Sequence, residues 1–138
     1  MNKTFSIIKP DATKRNITGA INKLIEDSNL KIVAQKRIQL SRDKAEGFYS
    51  IHKDKPFFKD LIEYMTSGAV IIQVLKGDNA VDQYRKIMGA TNPDNAETGT
   101  IRKEFALNIQ ENSVHGSDSQ KNAEIEIKYF FEESEIID

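Results

Sequence analysis

Ala69-Val70-Ile71-Ile72-Gln73-Val74-Leu75 constrains the fold of this chain more than any other stretch. It is a nearly unbroken apolar run, rich in β-branched residues, and it reads as the central strand of a sheet. The rest of the chain has to supply its neighbours. Thr4 to Lys9 alternates polar and apolar residues until Pro10 stops it, and Lys31 to Leu40 carries Ile32, Val33, Ile38 and Leu40. Both read as strands, and Val114 suits a short edge strand. Ile17, Ile21, Leu24 and Ile25 recur at helical spacing, which predicts a helix over roughly 18–28. Ser41 is a good N-cap for a helix running to about His52. Pro56 suits the first turn of the next helix, with Phe57, Phe58, Leu61, Ile62 and Met65 as its apolar stripe. Asp78 can cap a helix over about 79–88, and a last helix covers roughly Ser119 to Phe131, followed by a polar tail.

Without the inserted helical pair and the last helix, this order is β-α-β-β-α-β, the ferredoxin-like layout. It predicts a single α+β domain over 1–138, an antiparallel sheet with helices packed on one face. The residues from Gly89 to about Gln110 fit no element. They include Gly89, Pro93 and Gly99 with several Asn and Thr and no clean periodicity. A compact domain rarely spends about twenty residues on an irregular segment without a use for it.

Composition narrows the function. The chain has no Cys, which excludes disulfides and thiol chemistry, and its two His are too few for a polyhistidine metal site. Twenty Lys and Arg stand against 21 Asp and Glu, for a net charge of -1, so no general nucleic-acid or acidic-membrane surface is signalled. No apolar run approaches the ~20 residues of a membrane helix. Met1-Asn2-Lys3-Thr4 lacks the pattern of a signal peptide, so a cytoplasmic location is expected.

The chemistry centres on Asn112-Ser113-Val114-His115-Gly116-Ser117-Asp118-Ser119. An imidazole is a good nucleophile at neutral pH, because an ordinary pKa near ~6.5 leaves much of it uncharged. Gly116 removes side-chain bulk and would let a large anionic group approach. In the last helix Ala123, Ile127, Phe130 and Phe131 form the inward stripe, and Glu126 points partly toward that side. A carboxylate there needs a partner, and His115 and Ser117 are the natural ones. A Glu that orients an imidazole is a recurring nucleophile arrangement. Ser117 could instead be a cap, while Ser119 is read as the cap itself. A Ser-His-Asp hydrolase fits poorly, since no G-x-S-x-G elbow occurs.

Arg85 precedes the unexplained segment and Arg102 lies inside it, and two guanidinium groups flanking a loop rich in Gly and Thr can grip phosphate oxygens bidentately. Thr91 could add a hydroxyl. No P-loop pattern exists, so any phosphate must be held by side chains. Lys9 ends the first strand and could be only an edge lysine. Tyr49 and His52 share a helix face by their i, i+3 spacing, and Phe57 could serve as core or as a ring that stacks on a flat base.

Taken together these residues resemble the nucleoside diphosphate kinases. The resemblance runs from Phe5-Ser6-Ile7-Ile8-Lys9-Pro10-Asp11-Ala12 to Glu126. It takes in Gly47-Phe48-Tyr49 with His52, Lys55-Pro56-Phe57-Phe58 and Ser67-Gly68. It continues through the stretch from Arg85 to Pro93, then Gly99-Thr100-Ile101-Arg102 and the motif around His115. The resemblance implies a ping-pong transfer. A nucleoside triphosphate gives its γ-phosphate to His115, and a nucleoside diphosphate takes it, with Mg²⁺ on the nucleotide phosphates. It implies that Arg85, Arg102, Thr91 and His52 hold phosphates, and that Lys9 and Asn112 meet the ribose hydroxyls and nearby phosphate oxygens. Phe57 stacks on the base with Ile109 on its other face, Tyr49 helps order the site, and Ser117 and Glu126 support the imidazole. The metal has no protein cage, Asp118 being the one residue that could reach it through water. A site that grips bases by stacking tolerates many bases.

The family forms tetramers or hexamers built from a common dimer, so a homo-oligomer is expected. Many members have Pro where this chain has Thr98, which predicts a less rigid loop here. The alternatives are a non-catalytic nucleotide-binding or protein-interaction module of the same fold and a ferredoxin-like RNA binder. An intact His115 with Glu126 argues against the first, and near-neutral charge against the second.

Overall fold

In the computed structural model, which describes residues 1–138, β1 (Asn2–Ile8), β2 (Lys31–Ile38), β3 (Val70–Gly77) and β4 (Val114–Gly116) form one antiparallel sheet in the order β2-β3-β1-β4. The apolar run is central as predicted. β3 pairs along its whole length with β1, from Asn2↔Gly77 to Ile8↔Ile71, and with β2, from Lys31↔Lys76 to Ile38↔Val70. β4 joins the outer side of β1 through three pairs, Ser6↔Gly116, Ile7↔His115 and Ile8↔Val114.

Strand alternation splits the core in two. Phe5, Ile7, Val70, Ile72 and Val74 face one way and pack with residues of α3 (Arg42–Phe48), α4 (Phe58–Met65) and α7 (Gln120–Phe130). Ile8, Ile71, Leu75 and Val114 face the other way, against α2 (Thr18–Asp27), α5 (Ala80–Met88) and α6 (Ile101–Phe105). The two helices of the ferredoxin-like unit, α2 and α5, therefore share one face as expected. The inserted pair α3 and α4, with α7, covers the other. Each fully buried Ile or Leu in these layers contributes about 1.5–3 kcal/mol of burial free energy.

Several boundaries move for identifiable reasons. Pro10 both ends β1 and opens a short helix, α1 (Pro10–Lys14), that periodicity could not reveal in five residues. Ser41 caps α3 by accepting from the Lys44 N–H, but the helix stops at Phe48 and a 3₁₀ turn, Ser50–His52, follows. Pro56 lies in the turn before α4, whose N-cap is Phe57. Asp78 does not cap α5. Asn79 holds that position at φ 48, and Asn2 at the start of β1 accepts the hydrogen bond from the Ala80 N–H. The segment from Gly89 to Gln110 contains a 3₁₀ turn, Pro93–Asn95, and α6, which Thr100 caps by accepting from the Lys103 N–H. Ser119 caps α7 by accepting from the Asn122 N–H.

Candidate functional site

β4 carries His115 on the face of the sheet occupied by Phe5 and Ile7, and α7 brings Glu126 up to it. His115 Nε2 lies 3.1 Å from Glu126 Oε1, and the Ser117 hydroxyl donates to the same oxygen at 2.6 Å. A carboxylate only accepts, so Nε2 carries the ring proton and Nδ1 keeps a lone pair. Nδ1 makes no hydrogen bond within the protein and is not sealed from solvent. Ser117 is 1% exposed and acts as support rather than as a cap. The Phe48 and Tyr49 rings stand edge-on to the imidazole, at centroid distances of 5.3 and 6.5 Å, and confine it. Tyr49 itself is buried with its hydroxyl unpartnered, and burial, with Glu126 nearby, pushes that hydroxyl well above its ordinary pKa.

Two clefts meet at this histidine. One, of about 540 Å³, is lined by Lys9, Arg85, Gly89, Thr91 and Arg102, and the other, of about 440 Å³, by Tyr49, His52, Asp118 and Glu126. Both also include Arg85, His115 and Gly116. Arg85 and Thr91 are exposed, with side chains free to take a ligand. Arg102 is different. It is buried, and its Nη atoms donate to the carbonyls of Gly89 at 3.1 Å and Val114 at 2.9 Å, while its buried Nε has no partner. Burial lowers its pKa, with Arg85 adding to this and Tyr84 opposing it. A buried guanidinium with an unmatched donor suits an anion arriving from the cleft.

Lys9 is no solvent-facing edge residue. It is 9% exposed, and its ammonium donates to Asn112 Oδ1 at 2.8 Å, while the Asn112 amide donates to the Thr91 carbonyl at 3.3 Å. Burial lowers the Lys9 pKa to about 8, helped by Arg102 and opposed by Asp11. Asn112 and Ser117 sit behind the cleft walls, and Phe57 and Ile109 also line neither cleft. Phe57 is half exposed at the mouth, 5.5 Å from the His52 ring, and Ile109 is exposed on the opposing 106–111 loop. The two jaws touch where the Gln110 amide reaches the Asp60 carbonyl at 3.5 Å.

Gly116 lines both clefts, and it has a packing role besides. A Cβ there would lie 2.7 Å from Met88 and 2.8 Å from Tyr84, so the glycine also lets β4 pack on α5. Nothing in the sequence assigns a role to Asp11. Its side chain is 1% exposed and receives hydrogen bonds from Tyr64, Arg15 and both polar groups of Ser113. No local pattern signals this, because the partners come from distant parts of the chain.

The chain is similar to known proteins in both fold and sequence. The chain superposes on the solved nucleoside diphosphate kinase of Aquifex aeolicus with a TM-score of 0.96, at 34% identity, covering 99% of each chain. It superposes on a halophilic nucleoside diphosphate kinase from Halobacterium salinarum, solved in complex with CDP, with a TM-score of 0.95 at 37% identity, covering 99% of this chain and 91% of that one. The family model for nucleoside diphosphate kinase matches residues 2–136. A nucleoside diphosphate kinase of Chelativorans sp. (strain BNC1) is 62% identical over 137 residues, 99% of this chain and 98% of that protein. The chain belongs to the nucleoside diphosphate kinase family.

Proposed function

We propose that this protein is an enzyme that moves the terminal phosphate of a nucleoside triphosphate to a nucleoside diphosphate through a phosphohistidine on His115. The observation that carries this is the pairing of His115 Nε2 with Glu126, which leaves Nδ1 as the free nucleophile at the meeting point of two clefts. In the first half-reaction Nδ1 attacks the γ-phosphorus and the bond to the bridging oxygen breaks, so the diphosphate leaves. In the second, a terminal oxygen of another diphosphate attacks the same phosphorus and releases Nδ1. Nε2–H stays on the ring throughout, and Glu126 stabilises the charge that the imidazole gains. Phosphoryl transfer needs positioning and cations on the equatorial oxygens, which Arg85, Arg102 and Lys9 supply with the Thr91 hydroxyl. His52, which lines the second cleft, adds a polar contact from that side. Tyr49 keeps the imidazole in place.

Lys9 and Asn112, already hydrogen-bonded to each other, would meet the ribose hydroxyls and adjoining phosphate oxygens. Phe57 and Ile109, both exposed, would sandwich the base. Flat stacking predicts broad base specificity. Magnesium fits the site as an ion held by nucleotide phosphates. No group of three or more His, Asp and Glu side chains gathers to hold one, and Asp118, exposed beside His115, can reach it through water. When bound, it would neutralise phosphate charge. No helix is long and apolar enough to cross a membrane, and a cytoplasmic location is the reading we adopt. Assembly as a tetramer or hexamer of dimers is our expectation for the 15.7 kDa chain, and β2 is an outermost strand whose edge the C-terminal tail meets at one backbone hydrogen bond, from the Ile137 N–H to the Val33 carbonyl at 2.8 Å.

Initial rates measured against both nucleotides test the mechanism. Parallel double-reciprocal lines are expected, and lines that intersect would mean a ternary complex without the phosphoenzyme.

A further inference from the structure

Asp11 is a buried carboxylate that takes no part in the chemistry above. Its Oδ1 accepts from the Tyr64 hydroxyl of α4 and from the Ser113 N–H at 3.2 Å. Its Oδ2 accepts from the Ser113 hydroxyl and from Arg15 Nη2, both at 2.9 Å. The same Arg15 nitrogen donates to the Phe105 carbonyl at the end of α6, at 2.7 Å. α1, α4 and the lead-in to β4 thus converge on one carboxylate, and Arg15 links it to α6.

What they hold is an unfavourable turn. Ser113 has φ 72, in the left-handed region that suits glycine. The Val114 N–H donates to the Asn112 carbonyl at 2.9 Å across this residue, the i to i+2 pattern of the rare, strained γ-turn. A serine there is disfavoured by roughly 5- to 150-fold in population, so the surroundings must impose it. The reversal has a visible consequence. On one side of Ser113 stands Asn112, bound to Lys9 and to the Thr91 carbonyl, and on the other the chain enters β4 with His115. The Lys9 N–H also donates to the Ser113 carbonyl at 2.8 Å, tying β1 to the same turn.

We infer that Asp11 is a positioning residue, gripping Ser113 by its N–H and its hydroxyl so that the strained turn sets the nucleotide-binding pair Lys9–Asn112 at a fixed offset from the nucleophile His115. The inference rests on the reading of His115 as the phosphate carrier. It separates Asp11 from a carboxylate that only stabilises the fold, because its effect passes through one backbone angle. Glycine adopts that angle unaided.

The test is the rate at which γ-labelled ATP and Mg²⁺ phosphorylate His115 in a single turnover. Four proteins are compared: wild type, Asp11→Asn, Ser113→Gly, and the double variant. Asp11→Asn is expected to lower the rate by about 30-fold, within the range set by the strain. In the Ser113→Gly background the same change is expected to cost less than about 5-fold, because the turn no longer needs the grip. Equal losses in the two backgrounds, or an undiminished rate in Asp11→Asn, overturn the inference. If Asp11→Asn does not fold, Tyr64→Phe replaces it. That variant removes one donor to Asp11 and keeps the ring, and a smaller loss, again suppressed by Ser113→Gly, is expected. An unchanged rate in Tyr64→Phe, or a loss that Ser113→Gly leaves intact, overturns the inference in that arm. Wild-type protein that takes no label removes the His115 reading and this inference with it, whereas labelled wild type with equal losses removes only the inference.

Discussion

Lys9 ends β1 with its ammonium buried, and burial together with Arg102 lowers its pKa from 10.5 to about 8 against the opposing pull of Asp11. At 1.36 kcal/mol per pH unit, holding that charge in the folded state costs about 3 kcal/mol at pH 7. Lys9→Met keeps the length of the chain and removes the charge. It also strips the donor from Asn112 Oδ1, and leaving that atom unpaired costs about 1–2 kcal/mol. The variant is therefore expected to be more stable than the wild type at pH 7 by about 1–2 kcal/mol, while losing activity. The sign with pH follows from the lowered pKa. Below pH 8 the folded and unfolded chains both carry the proton, and the cost is fully present. Between about 8 and 10.5 the unfolded chain binds more protons than the folded one, so wild-type stability gains on the variant as pH rises through that window. Urea denaturation of both proteins at pH 7 and pH 10, at one protein concentration, measures this difference. Kinetics on the same samples should show kcat/KM reduced about 10- to 100-fold by the loss of a charged contact to the nucleotide. A variant less stable than wild type at pH 7, or a stability gap that does not change with pH, would refute the reasoning.

Phe57→Ala should raise KM for purine and pyrimidine nucleotides alike with little change in kcat, measured across four triphosphates; a loss confined to one base would contradict stacking as its role. Glu126→Gln keeps the shape of the side chain but removes its charge, and should lower kcat roughly tenfold with KM little changed. A raised KM at unaltered kcat would place Glu126 in substrate binding instead.

The parts of this structure that were legible in the sequence are those whose cause is local. The run from Ala69 to Leu75 announces β3 because its composition alone demands burial, and Ser41 and Ser119 announce helix starts because a cap acts within three residues. The pairing of Glu126 with His115 and Ser117 was readable because helical periodicity places that carboxylate on the inward side. The misread parts depend on distant partners. Asp78 has the chemistry of a cap, but Asn2, on another strand, takes the Ala80 N–H. α1 and α6 are five residues each, too short for periodicity to register. Gly116 reads as space for a ligand, and only the placement of Tyr84 and Met88 on α5 shows that the packing of β4 needs a glycine there as well. Asp11 and Ser113 lie 102 residues apart, and nothing local in either predicts the contact.

The central claim is that His115 carries the phosphate between two nucleotides. Incubation with γ-labelled ATP and Mg²⁺, removal of nucleotide, and addition of unlabelled GDP tests it in one sequence of steps. The account predicts acid-labile label on the protein, its passage to GTP when GDP is added, and no label on the His115→Ala variant. Intact protein that takes no label, or label that survives in His115→Ala and still reaches GDP, would contradict it.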